Sequence, residues 1–155
     1  MMKKQLKKIA DMSEVDISKI PELFLQDFVE WDSCILLSGV NASDIKEAHF
    51  KPNEHFRDRT EFEAFCNHIY INDYFSEIEE CPEKSLKVAL EIVEIWEQKL
   101  KARFPDTKFH LIVSCDEFGA AIRLYKYRIE EGSWINIDNI EGYLENGLLV
   151  KEIKG

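Results

Sequence analysis

The sequence predicts an α+β fold: N-terminal helices and one long central helix packed on a small antiparallel β-sheet built around a C-terminal hairpin. Three observations predict it. Phe24, Phe28, Trp31 and Ile35 recur at intervals of four, three and four, which is a helical apolar stripe. Leu86, Leu90, Val93, Trp96, Leu100 and Phe104 repeat the helical period over residues 83–104. From Phe109 the period changes to two, and strict βαβ alternation is absent.

Taken in order, residues 2–11 form a short basic helix, and Ser13 to Ser18 is a polar break. The stripe from Phe24 makes the next helix, with Gly39 as its stop. Cys34 to Leu37 also fits a short strand, and periodicity does not decide so short a run. Residues 43–49 have the pattern of one or two helical turns, and Lys51 to Asp58 is a polar loop around Pro52. Thr60 with Glu63 reads as a capping box, the hydroxyl accepting from the Glu63 amide while the carboxylate reaches back. Phe62, Phe65, Cys66 and Ile69 then mark the buried face of that helix.

The central helix has a wide apolar arc, because Val88, Ile92 and Ile95 flank the main row, so it is covered from two sides. Glu83–Lys87 and Glu97–Lys101 are favourable i,i+4 pairs, and Pro105 ends the helix. Phe109, Leu111, Val113 and Cys115 alternate with His110, Ile112 and Ser114; Asp116 to Gly119 turns the chain. Ala121, Arg123, Tyr125 and Tyr127 return as the second hairpin strand. Trp134 to Ile137 is a third strand candidate, Asp138 caps a short helix to Leu144, and Asn146-Gly147 leads into a last strand, Leu148 to Ile153.

The chain has 155 residues, which predicts a single domain, residues 1–155, with residues 1–12 as a basic N-terminal segment. Its 45% hydrophobic content, with ten Phe, five Tyr and three Trp, excludes a disordered chain. No apolar run reaches the roughly 20 residues of a membrane span. The N-terminus lacks the apolar block of a signal peptide, so a cytoplasmic protein is expected.

Charge is segregated. Residues 20–45, 60–83 and 129–150 hold five, seven and five acids and no Lys or Arg, whereas residues 84–128 carry nine bases against six acids. A net charge of −10 disfavours nucleic acid and anionic membrane as partners and favours a basic protein. The exception is the lysine cluster Lys3, Lys4, Lys7 and Lys8.

Motifs for chemistry are missing. Cys34, Cys66 and Cys115 sit in apolar surroundings and read as small buried hydrophobes, while Cys81 beside Pro82 belongs near a helix start. No CxxC, HExxH or EF-hand spacing occurs, so no metal is expected. His110 and Cys115, five apart on one strand, face opposite ways. There is no GxSxG, P-loop or GxGxxG, and six glycines offer little backbone to cradle phosphate. No catalytic residue and no cofactor is therefore expected.

Aromatics interleaved with acids remain. Tyr70, Asp73, Tyr74, Glu77, Glu79 and Glu80 form one such stretch, and Glu131 with Trp134 a second. Exposed rings anchor a partner, and carboxylates steer a basic one. In ordinary domains the same pattern also arises from core aromatics rimmed by solvated acids.

The run A-A-I-R-L-Y-K-Y-R-I-E-E-G-S-W-I-N-I-D-N-I-E-G-Y-L-E-N-G-L-L-V-K-E-I resembles small single-domain bacterial immunity proteins encoded beside polymorphic toxins, LXG-type toxins with nuclease domains included. The segment E-A-H-F-K-P-N-E-H-F-R-D-R-T-E-F-E-A-F-C is similar in kind. The resemblance implies a non-enzymatic antitoxin that binds a cognate toxin domain and occludes its active site. It carries no catalytic signature, and no site residue is transferred from it. An enzyme without a recognisable motif and a housekeeping interaction module are the alternatives.

Overall fold

A computed structural model describes residues 27–38, 45–74, 82–132, 134 and 147–153. The expected basic N-terminal helix, Cys81, and the strand and helix expected after Trp134 lie outside the described residues.

The fold is α+β. Strands β1 (Phe28–Trp31) and β2 (Cys34–Leu37) make a two-stranded hairpin. Helix α1 (Arg59–Cys66) leads to β3 (Ile69–Tyr70) and a 3-10 turn (Ile71–Asp73). Helix α2 (Pro82–Arg103) precedes β4 (Phe109–Cys115) and β5 (Ala120–Lys126), and β6 (Gly147–Ile153) follows. The larger sheet is antiparallel throughout, in the order β3-β5-β4-β6. Among the described residues no helix is long and apolar enough to cross a membrane.

The long helix and the hairpin match their sequence patterns. Leu86, Val88, Ala89, Ile92, Val93, Trp96 and Leu100 are buried against one sheet face, made by Phe109, Leu111, Val113, Cys115, Ile122 and Leu124. Trp96 meets Phe28 edge-on at 6.0 Å, which ties β1 to α2. Pro82 suits the first helical position, where the missing N–H costs nothing. Lys101 and Arg103 complement the carbonyl end, and Lys101 pairs with Glu97 at 3.0 Å. The opposite sheet face buries Ile112 and Tyr125 against Ala64 of α1. Covered on both sides, β4 is buried at six of its seven residues, so alternation there separates two apolar faces rather than core from solvent. His110 and Cys115 do face opposite ways, both buried.

At the β4–β5 turn, Asp116 Oδ1 accepts from the amides of Phe118 and Gly119 at 2.8 and 3.1 Å. Gly119 has φ +150°, and a Cβ there would collide with the Asn72 side chain. Glycine is required on both counts.

Four expectations are corrected. The helical stripe through Phe28, Trp31 and Ile35 is a β-hairpin in residues 28–37, and Cys34 to Leu37 is a strand. Its two-residue turn, Asp32-Ser33, has positive φ at both positions (45° and 65°), the geometry that suits the twist of a tight hairpin. Residues 45–49 are not helical: the Glu47 carbonyl accepts from Trp31 Nε1 and the Phe50 amide donates to Asp32 Oδ2, so the hairpin takes bonds a helix would use. The cap of α1 is Asp58, whose carboxylate accepts from the Glu61 amide, while Glu61 reaches back to the Arg57 amide. The box therefore lies two residues before Thr60 and Glu63. Finally, Phe65 is 59% exposed, and Glu63 is fully buried in its place. Ile69 is buried, but in β3 rather than on the helix.

Candidate functional site

Of the eight residues predicted to meet a partner, Glu77, Glu79 and Glu80 lie outside the described residues. The remaining five fall into three settings. Tyr70 in β3 stands directly opposite Ala121 of β5, so it shares the sheet face that carries Arg123 and Tyr125. Trp134 lies on the same face: the Arg123 guanidinium sits 4.7 Å from the centre of its ring. Arg123 also donates to the Ala64 carbonyl at 2.8 Å, in the last turn of α1. Burial lowers the pKa of Arg123, and Tyr70 opposes that shift. Tyr70 and Trp134, far apart in sequence, are thus brought together around one arginine, each 39% exposed. His68 packs edge-on to Tyr70 at 5.6 Å. Burial holds His68 below the ordinary histidine value, Arg123 adds to this and Asp73 opposes it.

Asp73 and Tyr74 are exposed at the end of the 3-10 turn. Glu131 is directed elsewhere. Its Oε1 accepts from the Thr60 amide at 3.0 Å, and its Oε2 lies 3.7 Å from Arg128 Nε. That carboxylate serves the N-terminus of α1, where amides lack helical partners, so the structure does not offer it as a surface contact.

Glu63 is the centre of an internal clamp. Its Oε1 accepts from the Ile35 amide at 2.8 Å and from Arg128 Nη2 at 2.6 Å. Its Oε2 accepts from the Lys126 amide at 2.6 Å and from Arg128 Nη1 at 3.3 Å. One carboxylate therefore joins β2, the end of β5 and the arginine beyond it. Burial pushes the Glu63 carboxyl up, while Arg128 and the two amides pull it down. Burial alone would lower Arg128, yet its bonds to Glu63 hold it above its ordinary value. Arg128 Nη2 also donates to the Ser33 carbonyl at 2.7 Å, and Arg59 Nε to the Asp32 carbonyl at 2.9 Å. Two arginines so hold the left-handed turn that joins β1 to β2.

Asn67 completes the clamp. Its carbonyl oxygen accepts from the Leu37 amide, and its amide nitrogen donates to the Ile35 and Leu124 carbonyls. Asp32 is likewise engaged: the Phe50 amide first, then Arg59 and His49, hold its carboxyl at about 2. Burial pushes the thiols of Cys34 and Cys66 up to about 12 and about 11, with the Glu63 charge adding to both. Neither thiol has the lowered pKa of a nucleophile.

The outer side of α1 faces a pocket of about 810 Å³, walled by Trp31, Ile45, Phe50, Phe56, Phe62 and Phe65, with exposed His49, Lys51 and Asn53 adding polar edges. Phe62 is the hub, its ring 5.4–5.6 Å from those of Trp31, Phe50 and Phe56. Asn53 Oδ1 accepts from the amides of His55 and Phe56 and folds the loop that carries Phe56. Arg59 stacks on Phe50 at 5.5 Å. The pocket is not legible in the sequence because Phe65 patterns with the buried face and Lys51 to Asp58 reads as a polar loop; Phe62, as expected, packs on buried Cys34, Leu36 and Cys66 while its ring also walls the pocket. The available signal was the pair Phe50 and Phe56 in an otherwise polar stretch.

The chain belongs to the uncharacterized protein PM0498 family, whose model matches residues 1–155. No curated protein and no solved structure matches it significantly.

Proposed function

We propose that the chain is a non-enzymatic binding protein whose aromatic surface receives a protein partner, in its most concrete form an immunity protein that occludes a cognate toxin. The observation that carries this reading is the convergence of Tyr70 and Trp134 around Arg123 on one sheet face. Half-exposed rings backed by a fixed cation are the kind of residue that anchors an interface. Asp73, exposed at the end of the 3-10 turn, steers a basic partner toward them.

Two further features support binding over chemistry. The pocket beside α1 is walled mainly by hydrocarbon and rings, with Glu47, His49, Lys51 and Asn53 exposed at its edge. The groups around it with shifted pKa, Asp32 and Cys66, are respectively held by internal bonds and pushed toward the thiol form. A catalytic pocket instead gathers polar groups tuned for proton transfer or attack.

The test is co-expression with a toxin gene lying next to this one. The reading expects the two products to co-purify and the chain to rescue growth. Trp134→Ala with Tyr70→Ala should weaken the complex at least tenfold, about 1.4 kcal/mol. Association should slow as salt rises, since screening shortens to about 8 Å at physiological ionic strength. Absence of both binding and rescue would sink the immunity reading.

A further inference from the structure

Three side chains from neighbouring strands stand in one row across the larger sheet: Tyr125 of β5, His110 of β4 and Glu152 of β6, each directly opposite the next. His110 and Tyr125 are fully buried. His110 Nδ1 is 2.8 Å from Tyr125 Oη. His110 Nε2 is 3.3 Å from Glu152 Oε1, a charge contact without the alignment of a hydrogen bond. The Tyr125 hydroxyl also accepts from the Trp134 backbone amide at 3.1 Å. A buried imidazole is therefore one hydroxyl away from the backbone amide of Trp134, whose ring lies over Arg123.

The surroundings of His110 are charged on several sides. Lys108, just before β4, lies 3.4 Å from Glu152 Oε1 and 4.6 Å from the centre of the Tyr127 ring. Tyr127 itself packs on the imidazole at 5.0 Å. Arg123 shares the strand face of Tyr125, and α1 contributes the apolar Ala64 beside it. Burial holds His110 below the ordinary histidine value; Glu152 opposes this and Lys108 reinforces it. The imidazole is thus neutral at neutral pH and takes up a proton on acidification.

Glu152 opposite Nε2 favours the neutral tautomer with its hydrogen on Nε2, which leaves Nδ1 to accept from the Tyr125 hydroxyl. Protonation makes Nδ1 a donor. The phenolic oxygen, already accepting from the Trp134 amide, must then accept from the ring as well, and its hydrogen no longer goes to Nδ1. The same oxygen holds the Trp134 amide. We infer that His110 is a pH-sensitive element whose protonation, relayed through the Tyr125 hydroxyl, loosens the seat of Trp134 and so the Trp134–Arg123 stack on the surface. This holds whether or not that surface receives a toxin.

The experiment follows the His110 imidazole and the Trp134 backbone amide by NMR in the full chain, from about pH 7.5 to about pH 5. In the wild type both should move with one midpoint. Glu152→Gln removes the facing carboxylate and should lower both midpoints together, by about one pH unit, or tenfold in proton affinity. Tyr125→Phe should leave His110 titrating and abolish the Trp134 step. His68→Gln should leave the step in place, which separates His110 from the histidine beside Tyr70. A Trp134 amide that stays flat while wild-type His110 titrates overturns the inference, as does a step that persists in Tyr125→Phe. Should Tyr125→Phe fail to fold, the Glu152→Gln comparison decides: midpoints that separate overturn the coupling.

Discussion

On the sheet side of α1, Glu63 uses both carboxylate oxygens on Ile35, Lys126 and Arg128 in full burial. On the outer side, one and two residues away, Phe62 and Phe65 face the aromatic pocket, and Phe65 is 59% exposed. A single short helix thus has a charged interior and an aromatic exterior. The inversion is instructive because each side carries a cost that only its own role offsets. A buried carboxylate is tolerated only when every oxygen is engaged. An exposed phenylalanine forgoes the burial that would have stabilised the fold. The inner face specifies where the β1–β2 hairpin sits against the larger sheet; the outer face leaves apolar surface for something else.

The largest effect should come from the inner side. Arg128→Ala strands the Glu63 carboxylate and removes the bond to the Ser33 carbonyl. It should cost about 3–5 kcal/mol in urea denaturation, the range for breaking a buried pair. If the loss were below about 1 kcal/mol, the clamp would not organise the fold. Asn67→Ala leaves the Leu37 amide and the Ile35 and Leu124 carbonyls without this partner. A loss of about 1–3 kcal/mol is expected in the same assay, with β2 amides exchanging faster than those of β4.

Acid tests the comparison next. His110 and His68 have folded pKa values below the ordinary 6.5, so between that value and the folded one the unfolded chain binds more protons. Stability is therefore full above about pH 6.5 and falls as pH drops through the folded values. Asp32 acts lower: its contribution is present above the unfolded value of 3.8 and is lost as pH falls toward about 2. A thermal-melt series should show the first decline near pH 6, with His110→Gln flattening it. An unchanged profile in that variant would assign the decline to other groups.

The misreading of α1 shows where sequence patterns stop. The central helix, the β4–β5 hairpin and β6 were legible because each has enough residues for a period to repeat and a clear stop, Pro105 or Gly119. Residues 28–37 were not, since four-residue strands fit a helical stripe as well as an alternating one. Their turn, Asp32-Ser33, has no glycine and is held in place by Arg59 and Arg128 from elsewhere in the chain. In α1 two capping boxes compete, and choosing Thr60 over Asp58 assigned Glu63 to the helix end instead of the interior. Tyr70 and Trp134 were legible as aromatics among acids; Arg123 between them was not, because only the pairing of β3 with β5 brings the three together.

The most direct measurement is equilibrium denaturation of Phe65→Ser beside Glu63→Gln. Phe65→Ser should change stability by less than about 1 kcal/mol, as for other exposed positions, while Glu63→Gln should lose about 3 kcal/mol or more. A Phe65→Ser loss equal to that of Glu63→Gln would contradict this, because the outer aromatic face would then belong to the core.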